Sequence, residues 1–532
     1  MMMHIKSQES LKDALVSSKL FTDWLDGHLE VDFVQPVHRG AKVELAAALE
    51  SGKTSPPARL FQSPWVEEWV RETERDLPRE DDRDLFQAQV SSLRAGQADI
   101  VVTGQQPGFL GGPLYTLFKV ATTISLARAR SRTGRPTVPV FWSGDDDDDL
   151  VEALNPVALE PGGKGLVRGR NDAKAGRTKD RPVMLGRRSN DLETRSGAIW
   201  LAGIAEYSAG RTDSLATDLA AIWKEAVTAG WSWSRLARRS LLRVFQGSGL
   251  IIVSGDDPGL HAAAGPLYGE IHEKAGFLAE LADARGDELS SGGWHAQINH
   301  RSLNRPLFKV DHDKRIPWEP GSPLPDPSLL RPGVMLRSPV QDWLLNPAAV
   351  VVGPGELAYL RQLDTVYGEL DIVRSPLVPR LFAWLLPEGM DPGGLKTFRA
   401  RRTSDPGLAA SLADKAENEV RQILSRILKE DLKLSENRSL ELATGRTRRW
   451  RKGVEAMLRT EIERTGKVAP QPGPEWVFPD GQRQERRLAY LCAAAWWGNG
   501  LVDACLDAAS RHLELGTTGD WREFVIEVPT PR

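Results

Sequence analysis

The residues best able to do chemistry in this chain fall in three short blocks, each following a run of β-branched or aromatic residues. The first holds Thr103, Gly104, Gln105 and Gln106, then Gly111, Gly112, Tyr115 and Lys119. Two adjacent amides donate and accept hydrogen bonds, a phenol donates, and a lysine on a following helix could neutralise a carboxylate or phosphate. The spacing is neither GxxxxGKS/T nor GxGxxG, so neither standard nucleotide loop is implied. A glycine turn between a strand and a helix still offers backbone N–H groups to an anion.

The second block is Gly144 followed by Asp145, Asp146, Asp147, Asp148 and Asp149. Five successive carboxylates repel one another, so they are expected to neutralise a cation, to cap the next helix or to be solvated. Magnesium carried by a nucleotide, or the ammonium of an amino acid or amino sugar, would suit them. Asp146, Asp147 and Asp149 are the candidate catalytic residues; capping accounts for one or two aspartates and poorly for all five. The third block is Gly353, Gly355, Glu356 and Tyr359. A glutamate opening a helix is favourable to the helix dipole without any function, and its place after a strand makes it a ligand candidate as well.

Strands must position these blocks. Residues 100–104, 138–144, 250–255 and 349–353 are continuous apolar runs that end in glycine, as strands buried on both faces do. Helical periodicity follows over 117–130 and 356–370, and this alternation predicts an α/β fold around a parallel sheet with crossover helices. Ligands in such sheets bind beyond the carboxyl ends of the strands, so the glycines outline a site. The plainer reading is that glycine closes tight turns there.

Further along, Leu412, Ala416, Val420, Ile423, Ile427 and Leu434 form a narrow apolar stripe, and Val454, Met457, Leu458 and Ile462 a second. Two thin-striped helices predict an antiparallel coiled coil over 396–468, completed by a second copy in a homodimer through Val420, Ile423 and Ile427. The alternative is a hairpin lying on its own core. The stretch 164–195, with ten Lys or Arg against four Asp or Glu, reads as a solvated loop of an insertion.

At 532 residues the chain exceeds one ordinary core, and its net charge of -3 gives no support to nucleic-acid binding. The start lacks the apolar run of a secretory signal, and 488–506 is interrupted by Gly498, Asn499, Gly500 and Asp503, so neither export nor a membrane span is expected. That stretch predicts a buried helix pair. Cys492 and Cys505 lie within it without a metal-ligand spacing and read as core residues; no metal site is assigned.

The three blocks together resemble the BshC family, cysteine ligases that complete bacillithiol biosynthesis by adding cysteine to glucosaminyl malate. The resemblance lies in VVTGQQPGFLGGPLYTLFK at 101–119, PVFWSGDDDDD at 139–149, LRSPVQDWLLNPAAVVVGPGELAYLRQL at 336–363, the pair Pro379-Arg380, and GQRQER at 481–486. It implies a Rossmann-like core over 1–395 with connecting insertions at about 157–245 and 260–335, akin to class I aminoacyl-tRNA synthetases. It further implies a carboxy-terminal coiled coil joining two subunits, a helical segment over 469–532 returning to the core, and a place for Arg380 among the binding residues. The chain departs from the family in one stretch: where Glu-Asp-His-Asp is usual after the PVFW strand, it has Asp146-Asp147-Asp148-Asp149, so Asp148 stands at the histidine position.

Amide formation from a carboxylate requires activation, since the carboxylate is a poor electrophile. ATP with magnesium is the natural activator, but neither a HIGH-like nor a KMSKS-like signature is present, and the cofactor stays open. The expected partners are cysteine and glucosaminyl malate, in the cytoplasm. Two other readings are an amino-acid-activating or nucleotidyl-transferring enzyme with another acceptor, and a non-catalytic coiled-coil scaffold.

Overall fold

In the computed structural model, five strands form the sheet that the apolar runs predict: β1 (Asp99–Gln105), β2 (Thr137–Ser143), β3 (Ile251–Ser254), β4 (Ala349–Val352) and β5 (Leu377–Pro379). Most residues of 3–392 and 474–530 are described. The segments 12–18, 29–39, 51–56, 161–164, 169–182, 208–214 and 299–302, most of 396–473 and a few single positions lie outside the described residues. All neighbouring pairs are parallel and the spatial order is β3-β2-β1-β4-β5. From β1 the chain builds outward on one side to β3, then returns to start β4 on the other. The connections leaving β1 and β4 therefore diverge, and a crevice must open between their carboxyl ends. β5 has only three residues, too few for a periodicity to show.

Register follows from burial. Ile100, Val101 and Val102 of β1 are buried, as is every residue of β2, so the sheet is covered on both faces. One cover is α1 (Tyr115–Arg132), buried over most of its circumference from Thr116 to Ala127. It lies between the sheet and a helix from the far end of the chain, and a helix enclosed in that way is apolar nearly all round. Two further helices flank the crevice: α2 (Val334–Leu345), which leads into β4, and α3 (Pro354–Gln362), which leaves it.

The late apolar stretch is α4 (Tyr490–Thr518), broken at Gly498 (φ 66°, ψ -159°), which makes it the expected helix pair. It packs on α1, where the Ser125 hydroxyl donates to the Leu506 carbonyl at 3.1 Å. Cys492 and Cys505 are buried in it with free thiols, and burial pushes the Cys492 thiol up to about 12. The strand Arg522–Val528 then joins His4–Ser10 and Ala383–Pro387 in a three-stranded sheet. Between β2 and β3 lie the hairpin Val157–Leu159 with Leu166–Arg168 and the helices Leu192–Tyr207, Leu215–Ala229 and Trp233–Val244. Between β3 and β4 lie the helix Gly265–Ser291 and an antiparallel sheet of Leu307–Asp311, Lys314–Pro317 and Leu330–Pro332. No helix among the described residues is long and apolar enough to cross a membrane.

In the described end of the basic stretch, Arg187 pairs with Asp256 at 2.6 Å, and Arg188 with Asp191 and Glu193; residues 164 and 169–182 lie outside the described residues. Met1–Gly389 with Glu475–Arg532 form one compact unit and Met390–Pro474 a second. In the second, Val420, Arg421 and residues 423–429 are helical, as are Ser439, Ala443, Thr447, Trp450 and Val454. The Thr447 hydroxyl donates to Glu417 Oε1 at 3.3 Å, which ties the two helical stretches together. Leu412, Ala416, Leu434, Met457, Leu458 and Ile462 lie outside the described residues.

The glycine turn before α1 rests on the first residue of α4. Gly111 (φ 86°) and Gly112 (φ 104°) are in backbone conformations that favour glycine, and a Cβ on Gly111 would stand 2.3 Å from Tyr490 Cε1. Gly111→Ala is expected to destabilise the protein by roughly 2–5 kcal/mol, from backbone strain plus overpacking. Urea denaturation of the variant measures this.

Candidate active site

At the crevice between β1 and β4 a cleft of about 760 Å³ opens, lined by residues of all three blocks. Lys119 is part of its wall. That side chain is buried at the start of α1 and donates to the Gly104 carbonyl (2.9 Å), Gln105 Oε1 (3.0 Å) and Glu356 Oε1 (2.8 Å). An ammonium has three protons, and all three are committed. Burial lowers the pKa of Lys119, and Glu356 limits the fall. Lys119 therefore locks the ends of β1 and β4 together rather than standing free for a ligand anion. Glu356 completes the lock by accepting from the Gly353 N–H at 2.8 Å.

Gln105 is held on its other side, where its Nε2 donates to the Tyr115 hydroxyl at 3.1 Å. Gly104 is required by space: a Cβ there would meet the Trp142 carbonyl at 2.7 Å. Gln106 differs from its neighbour. It lines the cleft, and its buried Nε2 makes no hydrogen bond of good geometry, although it favours the charged form of the nearby Glu152. Gly355 and Tyr359 also line the cleft, with burial raising the Tyr359 phenol. Arg380 lines it too, yet is gripped by Glu485 at 2.9 and 3.0 Å and stacks on Phe382. Burial would raise the Glu485 carboxyl, but Arg380 and Arg483 outweigh it and bring it to about 2.

Four expected site residues are not in the cleft wall: Asp146 of the aspartate run and three residues of the first block. Thr103 is turned into the sheet, donating to the Val351 carbonyl at 3.0 Å, and Gly111 and Gly112 carry the turn on Tyr490. All three serve the framework.

The aspartate run divides. Asp145 is fully buried and accepts from Ser234 (2.7 Å), Ser254 (2.8 Å) and the Asp256 N–H (2.9 Å); burial and the neighbouring Asp256 push its carboxyl up to about 7. Asp146, also buried and outside the cleft lining, faces Arg337 at 3.1 Å and Arg315 at 3.6 Å. Asp147 lines the cleft between the same arginines, at 3.3 and 3.6 Å. Burial acts to raise the Asp147 carboxyl, but the two guanidiniums prevail and hold it below the usual carboxylate range. Asp148 binds Arg315 at 2.9 Å. Asp149 lines the cleft and caps the next helix by accepting from the Glu152 N–H at 3.0 Å.

Arg315 and Arg337 of this chain thus answer Asp146, Asp147 and Asp148. Among the described residues no cluster of three or more His, Cys, Asp or Glu side chains could hold a metal ion. Sequence reasoning missed Arg315 and Arg337 because they lie 167 to 191 positions from the aspartates they meet. Also missed were Glu152, Arg305, Asp342 and Arg486 in the cleft wall. Arg337 and Asp342 stand inside the 336–363 block, where a charged residue among Met335, Leu336, Val340 and Leu344 was the available signal.

Compared with known proteins, the chain matches the family described as "Bacillithiol biosynthesis BshC, N-terminal Rossmann-like domain" over residues 6–320 and 324–381. The chain belongs to this family. It is 27% identical over 461 residues to the "Putative cysteine ligase BshC" of Koribacter versatilis, covering 79% of this chain and 84% of the relative. Proteins of the same name from Salinibacter ruber and Shouchella clausii are each 28% identical, over 379 and 328 residues. The Salinibacter match spans 64% of each chain, and the Shouchella match 57% of this chain and 58% of the relative.

Asp147→Asn removes one of the three carboxylates that share the Arg315 and Arg337 guanidiniums. A loss of about 2–3 kcal/mol at pH 7 is expected, below that of a fully buried pair because Asp146 remains. Since the folded-state pKa of Asp147 is depressed, its contribution is present above the ordinary carboxyl pKa and is lost as pH falls through the folded value. Urea denaturation at pH 7 and at pH 3 should show the wild type and variant converging in acid.

Proposed function

We propose that this chain is a cysteine ligase of bacillithiol biosynthesis that joins the carboxyl of L-cysteine to the amine of glucosaminyl malate. The observation that carries the reading is the cleft at the divergence of β1 and β4, built from the same blocks that mark the chain as a BshC protein. Its volume falls in the range of small-molecule sites, ~300–1,000 Å³. Its wall offers both signs of charge, as a reaction between a carboxylate and an amine of an anionic sugar conjugate requires.

The carboxyl must first be activated, and ATP with magnesium is the proposed activator. Arg305 and Arg486 face the cleft without an ion-pair partner among the described residues, so they are available to phosphate or carboxylate groups. Once the carboxyl is activated, the sugar amine attacks its carbon, the leaving group departs with the bonding pair, and the nitrogen gives up a proton. The chain supplies orientation through Gln106 and Tyr359 and a fixed electrostatic environment through the paired arginines.

Assembly as a homodimer through the second unit completes the proposal, placed in the cytoplasm. Ile423 and Ile427 lie on a described helical stretch and are 48% and 42% exposed, apolar surface that a second copy could cover.

Two measurements follow. Purified protein with cysteine, glucosaminyl malate, ATP and magnesium should yield the amide by mass analysis, with no product when ATP is omitted; no product under any condition would reject the ligase reading. Replacing Val420, Ile423 and Ile427 together by glutamate should convert a dimer into a folded monomer in light scattering. A wild type that is monomeric at every accessible concentration would remove the assembly.

A further inference from the structure

Asp147, Asp149, Glu152, Asp342 and Glu356 are the carboxyl groups lining the cleft. Glu356 is answered by Lys119, Asp147 by two arginines, Asp149 caps a helix, and Glu152 is exposed. Asp342 differs from all of them. It lies on α2, is 5% exposed, and among the described residues accepts only from neutral donors, Tyr367 Oη at 3.1 Å and Gln341 Nε2 at 3.2 Å. Arg374, the cation near enough to favour its charge, is itself engaged by Asp364 at 3.2 Å and Glu44 at 3.8 Å. Burial pushes the Asp342 carboxyl up to about 7, with Gln341, Tyr367 and Arg374 opposing the rise. Among the described residues the remaining titratable group facing it is Tyr359 of α3.

A buried carboxylate with no cation in hydrogen-bond contact among the described residues is a cost to the fold, and one in a cleft wall marks a place where a ligand can bring that charge. Two of its oxygens' lone-pair sites are used by Tyr367 and Gln341, which leaves acceptor capacity for an N–H donor. We infer that Asp342 is the receptor for the primary ammonium of a substrate. The inference deepens the ligase reading and rests on it for the choice of amines: the α-ammonium of cysteine and the ammonium of the amino sugar share this chemistry.

Calorimetric titration of the full chain separates the two sources. Wild type and Asp342→Asn are titrated with L-cysteine against 3-mercaptopropionate, and with D-glucosamine against D-glucose. The wild type should prefer at least one amine over its partner lacking nitrogen by about 30-fold or more, the worth of a charge-assisted hydrogen bond, and the variant should lose that preference. Dependence in the cysteine arm places the amino acid at Asp342; dependence in the glucosamine arm places the acceptor there. A folded variant that keeps the wild-type preference overturns the inference, as does a wild type that prefers neither amine. Two readouts guard against a structural role. Because the folded pKa of Asp342 is raised, its contribution to stability is full below the unfolded pKa and is lost as pH rises through about 7. Asp342→Asn should therefore melt no lower than wild type at pH 8, whereas a structural carboxylate would make it melt lower. Wild-type amine affinity should also fall as pH is lowered through 7, a test that needs no variant. Failure of the ligase reading looks different: amine binding persists while no amide is formed.

Discussion

The ammonium of Lys119 sits where the chain paths leaving β1 and β4 part, and the shape of the cleft depends on it. Parallel sheets of this order leave a crevice at that point by topology alone, but topology does not set its width. One buried cation bound to the Gly104 carbonyl, the Gln105 amide and the Glu356 carboxylate fixes the distance between the two strand ends. Such a pair contributes little net stability, because desolvation offsets most of the attraction. What it supplies is geometry: neither turn can shift without leaving a buried charge unanswered. Lys119 and Gln105 are therefore parts of the frame on which the exposed groups of the site are mounted.

The C-terminal segment is the second part of that frame. Arg380, following β5, is bound by Glu485, and Arg483 joins Glu485 to Glu523 of the last strand. The main chain of the return segment also bridges to the front of the site, with Ala489 paired to Pro113 and Leu488 to Val157. The glycine turn after β1 is thereby seated on residues nearly four hundred positions away. Positive-φ glycines at 111 and 112 are what allow the backbone to come so close to Tyr490.

A run of five aspartates is unstable by itself, and the fold resolves it by separating the side chains. Asp145 goes into a network of hydroxyls and N–H groups beside Asp256, which is in turn held by Arg331 and Arg187. Asp146, Asp147 and Asp148 share Arg315 and Arg337, and Asp149 turns to a helix N-terminus. The arginines come from α2 and from the strand Lys314–Pro317. Asp148 is accommodated by the Arg315 guanidinium.

Local pattern determined a good deal of this protein. The four glycine-ended strands, the buried α1, the late helix pair and the cleft-lining role of Gly104, Gln105, Gln106, Tyr115, Glu356 and Tyr359 could be read from apolar runs and residue types, because burial on both faces of a sheet dictates composition strand by strand. The family was legible for the same reason: its blocks are contiguous. Tertiary structure alone decided which of those residues are free. Residue type does not distinguish Gln105, engaged by Lys119 and Tyr115, from Gln106 beside it, or the capping Asp149 from the arginine-paired Asp147. Whether a polar group is available to a ligand depends on turn geometry at Gln105 and on partners 105 to 237 positions away for Arg380, Asp147 and Lys119, and a sequence records the group but not its partner.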